Sequence, residues 1–187
     1  MTALFPLMPG VSGQAYFSPD NRFRYWLERR WDPTLPQFTY VLLNPSEAGG
    51  DRDDRTSKNL CALTAANGGG GFELVNLFAL VDTHQDHLRY PGAIGETPVT
   101  NDEWIVKVVE RSKLVILGWG DGNGTGRGGS AHQSDVRRRA IEVWPLVRFS
   151  QPKCFTKNSS GAPRHPGRLS PTSPISAYVP TPEYLAG

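Results

Sequence analysis

Phe38-Thr39-Tyr40-Val41-Leu42-Leu43-Asn44-Pro45-Ser46 is the stretch that decides the fold. Six residues make a largely apolar run of strand length, and the run stops at Asn-Pro-Ser, which cannot continue a central strand. The pattern recurs downstream. Phe72-Glu73-Leu74-Val75-Asn76-Leu77 reads as a second strand carrying one amide, Lys113-Leu114-Val115-Ile116-Leu117 as a third that runs into Gly118-Trp119-Gly120, and a last strand falls between Val147 and Thr156. Helices are predicted between them. One is capped by Thr56 and runs to about Asn67; one is capped by Asn101, spans Asp102 to Ser112 and shows a stripe of Trp104, Ile105, Val108 and Val109; one runs from about Ser134 to Trp144. Upstream, Ala15-Tyr16-Phe17 and Phe23 to Trp31 read as a hairpin joined by Ser18-Pro19-Asp20-Asn21. Alternating strands and helices predict an α/β fold, a three-layer α/β/α arrangement with a central, mainly parallel four-stranded sheet and an N-terminal hairpin. A single domain over residues 1–187 is expected, with the hairpin at 14–31 and a core at 38–170.

Composition narrows the function. At 187 residues with Gly 20 and Pro 16, the chain is expected to be globular and loop-rich. A formal net charge of +2 excludes a non-specific nucleic-acid coat, so any nucleic-acid contact is a local patch. Cys61 and Cys154 stand alone, without a CxxC pair or Cys/His cluster, which points away from a disulfide framework, a zinc site or an iron-sulfur site and towards the reducing cytoplasm. No cofactor, metal or membrane span is expected, and a monomer is. His84 and His87 read as surface residues. Gly124-Thr125-Gly126-Arg127-Gly128-Gly129 matches GxGxxG, but it follows the third strand rather than the first, and a flexible lid is the better reading than a dinucleotide turn.

In sheets of this kind ligands sit at the carboxyl ends of the strands, where Asn44, Asn76, Trp119 and His165 all follow strand ends. Pro163 and Pro166 restrict the backbone on either side of His165, so its imidazole is presented in a narrow range of directions. Arg164 and Arg168 flank it and suit phosphate, and Leu169 is apolar in an otherwise polar loop. The loop from Glu47 to Arg55 holds four carboxylates, among them Asp51, Asp53 and Asp54.

Read together, these strand ends resemble the uracil-DNA glycosylase superfamily. Leu42-Leu43-Asn44-Pro45-Ser46 is similar to its first motif, in which a strand leads into an Asn-Pro or Asp-Pro loop; Leu74-Val75-Asn76 resembles its base-reading asparagine; Val115 to Gly120 looks like its third strand with a Trp-Gly ending. His165-Pro166-Gly167-Arg168-Leu169-Ser170 resembles its His-Pro-x-x-Leu-Ser motif. The LNPS, VNLF, WG and PRHP layout also resembles that of a family of small bacterial proteins of unassigned activity. The superfamily resemblance implies a monofunctional DNA glycosylase that flips a base from DNA and hydrolyses its N-glycosidic bond. His165 would stabilise charge on the departing base, Asn44 would hold the attacking water, and Asp51, Asp53 or Asp54 would take its proton. Asn76, Ser46 and Trp119 would contact the base. Leu169 would fill the vacated stack, with Arg164, Arg168, Arg137 and Arg138 on phosphates. Asn44 stands where the most active members have an aspartate, which suggests slower chemistry than a housekeeping uracil remover. The expected substrate is a modified pyrimidine, in its most specific form a bulky 5-substituted cytosine such as glucosylated hydroxymethylcytosine in viral DNA, removed as antiviral defence. A uracil-repair glycosylase and a non-catalytic nucleotide- or nucleic-acid-binding module are the alternatives.

Overall fold

A computed structural model describes residues 5–82, 88, 90–122 and 129–186. Its centre is a mixed sheet of seven strands rather than the four expected, in the order β2-β3-β6-β4-β7-β8-β9. The strand over the deciding stretch, β4 (Gln37–Leu42), runs parallel to β6 (Gly71–Asn76) on one side and to β7 (Val115–Leu117) on the other. β7 is in turn parallel to β8 (Lys153–Cys154). Antiparallel strands widen the sheet at both ends: the hairpin of β2 (Ser12–Phe17) and β3 (Arg24–Arg30) joins β6, and β9 (Ser176–Ala177), from a segment without a strand signature, joins β8. A two-stranded ribbon pairs β1 (Phe5–Pro6) with β5 (Arg52–Asp53).

Helices lie on both faces. Because β-strand side chains alternate, Tyr40, Leu42, Phe72, Leu74 and Ile116 form one core with Leu60 and Leu63 of α1 (Arg55–Ala66). Val41, Val75, Val115 and Leu117 form the other, with Ile105 and Val108 of α2 (Pro98–Glu110) and Val136, Ala140 and Val143 of α3 (Gly129–Val147). A short α4 (Pro182–Leu185) closes the described chain. Among the described residues no helix is long and apolar enough to cross a membrane.

Several boundaries move for local reasons. α1 is capped by Asp54, not Thr56: the Asp54 carboxylate accepts from Ser57 N at 2.8 Å while Ser57 Oγ accepts from Asp54 N at 2.9 Å, a reciprocal capping box. α2 starts at Pro98 behind Thr97, because proline suits the first turn, and Asn101 is buried inside it, donating to Asn76 O and Leu77 O. α3 continues past Trp144 to Val147, since Val143 and Val147 keep the apolar stripe going, and so the last strand shrinks to two residues.

Asp53 is tied down by charge. Arg29 is fully buried and donates through Nε to Asp53 Oδ1 at 2.8 Å, while Nη2 reaches Gly49 O at 2.6 Å and Arg52 O at 2.8 Å. Replacing Asp53 with alanine strands a buried guanidinium and is expected to cost about 3–5 kcal/mol. Urea denaturation checks this; a loss near zero would mean the pair does not hold the loop.

Candidate active site

The carboxyl ends of β4, β6, β7 and β8 share one rim, because parallel strands all point the same way. The His165 loop is laid on that rim by close packing. A Cβ on Gly118 would meet Pro166 Cδ at 2.8 Å and Leu42 Cδ2 at 3.0 Å, and one on Gly120, at φ +70, would meet His165 Cβ at 3.4 Å. Only residues without side chains admit the loop there. Gly120 N donates to Pro163 O at 2.8 Å and Arg164 N to Thr156 O at 2.9 Å, and from α1 the Asn59 amide donates to Pro166 O at 2.7 Å.

Between this loop, β3, β4 and the start of α1 lies a cavity of about 20 Å³ whose polar lining is Arg24, Asn44, Ser46, Asp54, Thr56, Ser57 and His165, over a floor of Leu42 and Leu74. That is room for one water or one ligand oxygen. His165 Nδ1 accepts from Gly167 N at 3.2 Å, so the ring's proton sits on Nε2 and that nitrogen is a donor. Burial lowers the imidazole pKa from 6.5 to about 4, against the opposing pull of the Asp54 carboxylate. At neutral pH the ring is an uncharged N–H donor.

Asn44 has its direction fixed as well. Its Nδ2 donates to Pro45 O at 2.9 Å and to Asp82 O at 2.7 Å, which leaves Oδ1 as the acceptor end. The three candidate carboxylates separate cleanly. Asp51 is exposed, 3.8 Å from Arg52 Nε; Asp53 is held by Arg29; Asp54 alone lines the cavity, one oxygen committed to capping α1.

The remaining candidates scatter. Asn76 is 1% exposed, and neither amide atom has a hydrogen-bond partner, a costly state for a group in an apolar setting. It shares the face of β6 with Leu74, which floors the cavity. Trp119 does not reach the site: alternation places it with Leu117 in the opposite core, where its Nε1 donates to Tyr184 OH at 3.0 Å. Leu169 is half-buried against the α1-side core. Arg164 and Arg168 are exposed beside His165. On α3, Arg137 donates to the Tyr184 and Glu183 carbonyls, and Arg138 lies 3.8 Å over the Tyr90 ring and 3.5 Å from Glu142. Arg139 of the same run is buried on Leu77 O and Asp102. The α3 arginines are thus engaged within the fold, and α3 packs on the face away from the cavity. His84, His87 and residues 124–128 of the glycine loop lie outside the described residues. Among the described residues no group of three or more His, Cys, Asp or Glu is placed to hold a metal.

Three site residues were not foreseen, among them Ser57, which pairs with Asp54 in the capping box. Thr56 lines the cavity beside Gly167, whose added Cβ would stand 3.3 Å from Thr56 Oγ1. Arg24, within the predicted hairpin, is 2% exposed and lines the cavity. The signal for it was the imperfect alternation of Arg24-Tyr25-Trp26-Leu27.

The profile of one protein family, described as a protein of unknown function (DUF1643), matches residues 24–167, from Arg24 to just past His165. No curated protein and no solved structure matches the chain.

The His165 titration sets a pH window for stability. Above 6.5 folded and unfolded chains both hold a neutral ring; from 6.5 down to about 4 only the unfolded chain takes the proton, so stability falls as pH falls. His165→Gln removes that share of the loss. Urea denaturation of both proteins across the window should show the steeper decline in the wild type, and parallel declines would contradict the neutral ring.

Proposed function

We propose that this chain, which belongs to the DUF1643 family, is a DNA glycosylase that flips out a modified pyrimidine and hydrolyses its N-glycosidic bond to leave an abasic site. One observation carries the reading: a neutral His165 with Nε2–H as donor shares a water-sized cavity with the Asn44 acceptor and the Asp54 carboxylate. Those are a donor for the departing base's carbonyl oxygen, which fills the cavity, and two acceptors for a water at its mouth. The chain order Asn44, Asn76 and Gly118-Trp119-Gly120 at the ends of β4, β6 and β7, with His165 on the loop that follows β8, supports a uracil-DNA glycosylase-like fold.

The step is a hydrolysis. The C1′–N bond breaks with its electron pair remaining on the base and spreading to the carbonyl oxygen, the water's oxygen bonds to C1′, and its proton passes to Asp54 and on to the released base. One well-placed donor on the developing anion contributes about 10² to 10³ in rate. Asn76, whose amide has no partner in the fold, offers a donor and an acceptor to the base edge. A cavity of about 20 Å³ takes only the edge of a base, so the ring and its substituents lie at the mouth. Gly120, against His165, also lines a groove of about 760 Å³, but that groove runs along α3 with a largely apolar wall and shares no lining residue with the cavity. The proposed substrate is a bulky 5-substituted cytosine, of the glucosylated hydroxymethyl kind found in viral DNA, for which Asn44 in place of a carboxylate fits slower, specialised chemistry, and the proposed role is antiviral defence in the cytoplasm.

Incubation with DNA bearing uracil or bulky 5-substituted cytosines, followed by alkali and a gel, tests the proposal. Abasic sites are expected at the substituted cytosines; efficient release of uracil alone would make it a repair enzyme, and no abasic sites with any base would leave a binding module. Asp54→Asn is expected to lower release at least 10²-fold, with Asp51→Asn near wild type; the reverse order would move the base elsewhere.

Phosphate contacts fall to Arg164 and Arg168 rather than to the engaged arginines of α3. Changing both to glutamine should flatten the salt dependence of DNA binding by about one unit of slope per lost contact, with Arg138→Gln leaving it unchanged. A slope indifferent to Arg164 and Arg168 would place the DNA on another face.

A further inference from the structure

Arg24 is the unexplained charge of the site. Strict alternation would put it on the face of Trp26, which packs against the α2-side core. A bulge prevents that: Tyr16 pairs with Trp26 and Phe17 with Arg24, so Tyr25 is left without an opposite residue and Arg24 turns to the face of Leu27, where both line the cavity. Bulges re-aim side chains in this way. Nη1 donates to Ala48 O at 2.7 Å and anchors the guanidinium, while Nε is buried and has no partner. No carboxylate lies within ion-pair distance of Arg24 among the described residues; Asp54, across the cavity, acts on it only through space. Burial and the neighbouring Arg29 oppose its charge. A buried guanidinium with an idle N–H is expensive to keep unless a ligand atom meets it.

We propose that Arg24 is a second donor of the cavity, joining His165 to hold the carbonyl oxygen of a pyrimidine as it becomes anionic. The inference rests on the glycosylase reading for the identity of the ligand. A cavity the size of one oxygen, lined by Arg24 and His165, is the arrangement that stabilises charge only when it develops. The permanent charge of Arg24 suits the electron pair left on the base, which a neutral imidazole alone meets only as a dipole.

The test has a part that needs no catalysis. A pyrimidine that ionises near neutrality, such as 5-nitrouracil, should bind the wild type at least tenfold more tightly as the monoanion than uracil does, and its addition should shift the Arg24 Nε–H resonance. Arg24→Met should abolish the preference for the anion, and Arg24→Lys should retain part of it. A second readout is the His165 imidazole in the free protein: removing the cation in Arg24→Met leaves Asp54 unopposed, so the imidazole pKa should rise, while Arg24→Lys should leave it close to wild type. On a DNA substrate Arg24→Met should lower single-turnover base release by about 10² to 10³ with binding changed less than tenfold. Anion binding that is equal in wild type and Arg24→Met, an unmoved Arg24 resonance, or an unshifted His165 titration would overturn the proposal. Should the wild type form no abasic sites while anion binding and the His165 titration respond as expected, the cavity is an anion site governed by Arg24 and the glycosylase reading is what fails.

Discussion

The site depends on one close approach, that of the His165 loop to the ends of β4 and β7 at Gly118. With 2.8 Å from an imagined Cβ to Pro166 Cδ, there is no side chain that leaves the loop where it is. Once it is seated, the rest follows in sequence. Pro166 starts a short 3-10 turn whose Gly167 N–H closes on the imidazole, the amide of Asn59 secures the turn from α1, and the ring is left facing Asn44, Asp54 and Arg24.

Burial then sets the electrostatics. The desolvation that keeps the imidazole uncharged also pulls the Arg24 guanidinium down to about 10, and the buried Asn76 amide is left without any partner. Each of these works against folding, and the fold compensates nearby with groups that are met: the Arg29–Asp53 pair with its four hydrogen bonds, and the capping box of α1. Satisfied polar groups ring a few unsatisfied ones. That contrast separates Asp53, which holds the structure, from Asp54, which faces the cavity one residue later.

Much of this was legible in the sequence because parallel strands announce themselves as apolar runs that stop abruptly. Asn44 and Asn76 were found at such stops, and His165 on the proline-bounded loop after the last strand. Trp119 sits at a stop too, but the residue before it is a glycine that faces the site, so the indole is sent to the other core; the sequence shows the stop and not the side. The carboxylates of residues 51–54 could not be told apart, since what separates them is a ribbon with Phe5–Pro6 and a buried arginine from another strand. Arg24 was hidden by a bulge, which changes the face of a residue without changing its composition. The extra strands β1, β5 and β9 are two residues long, too short to carry a period.

The chemistry of the site requires His165 to present an uncharged ring with its proton on Nε2. Nitrogen-15 NMR of the imidazole in the free protein at neutral pH reads both properties at once. The expected spectrum is that of the neutral ring protonated on Nε2, with Nδ1 in the hydrogen-bonded acceptor state set by Gly167 N–H. An imidazolium, or a proton on Nδ1, would contradict it.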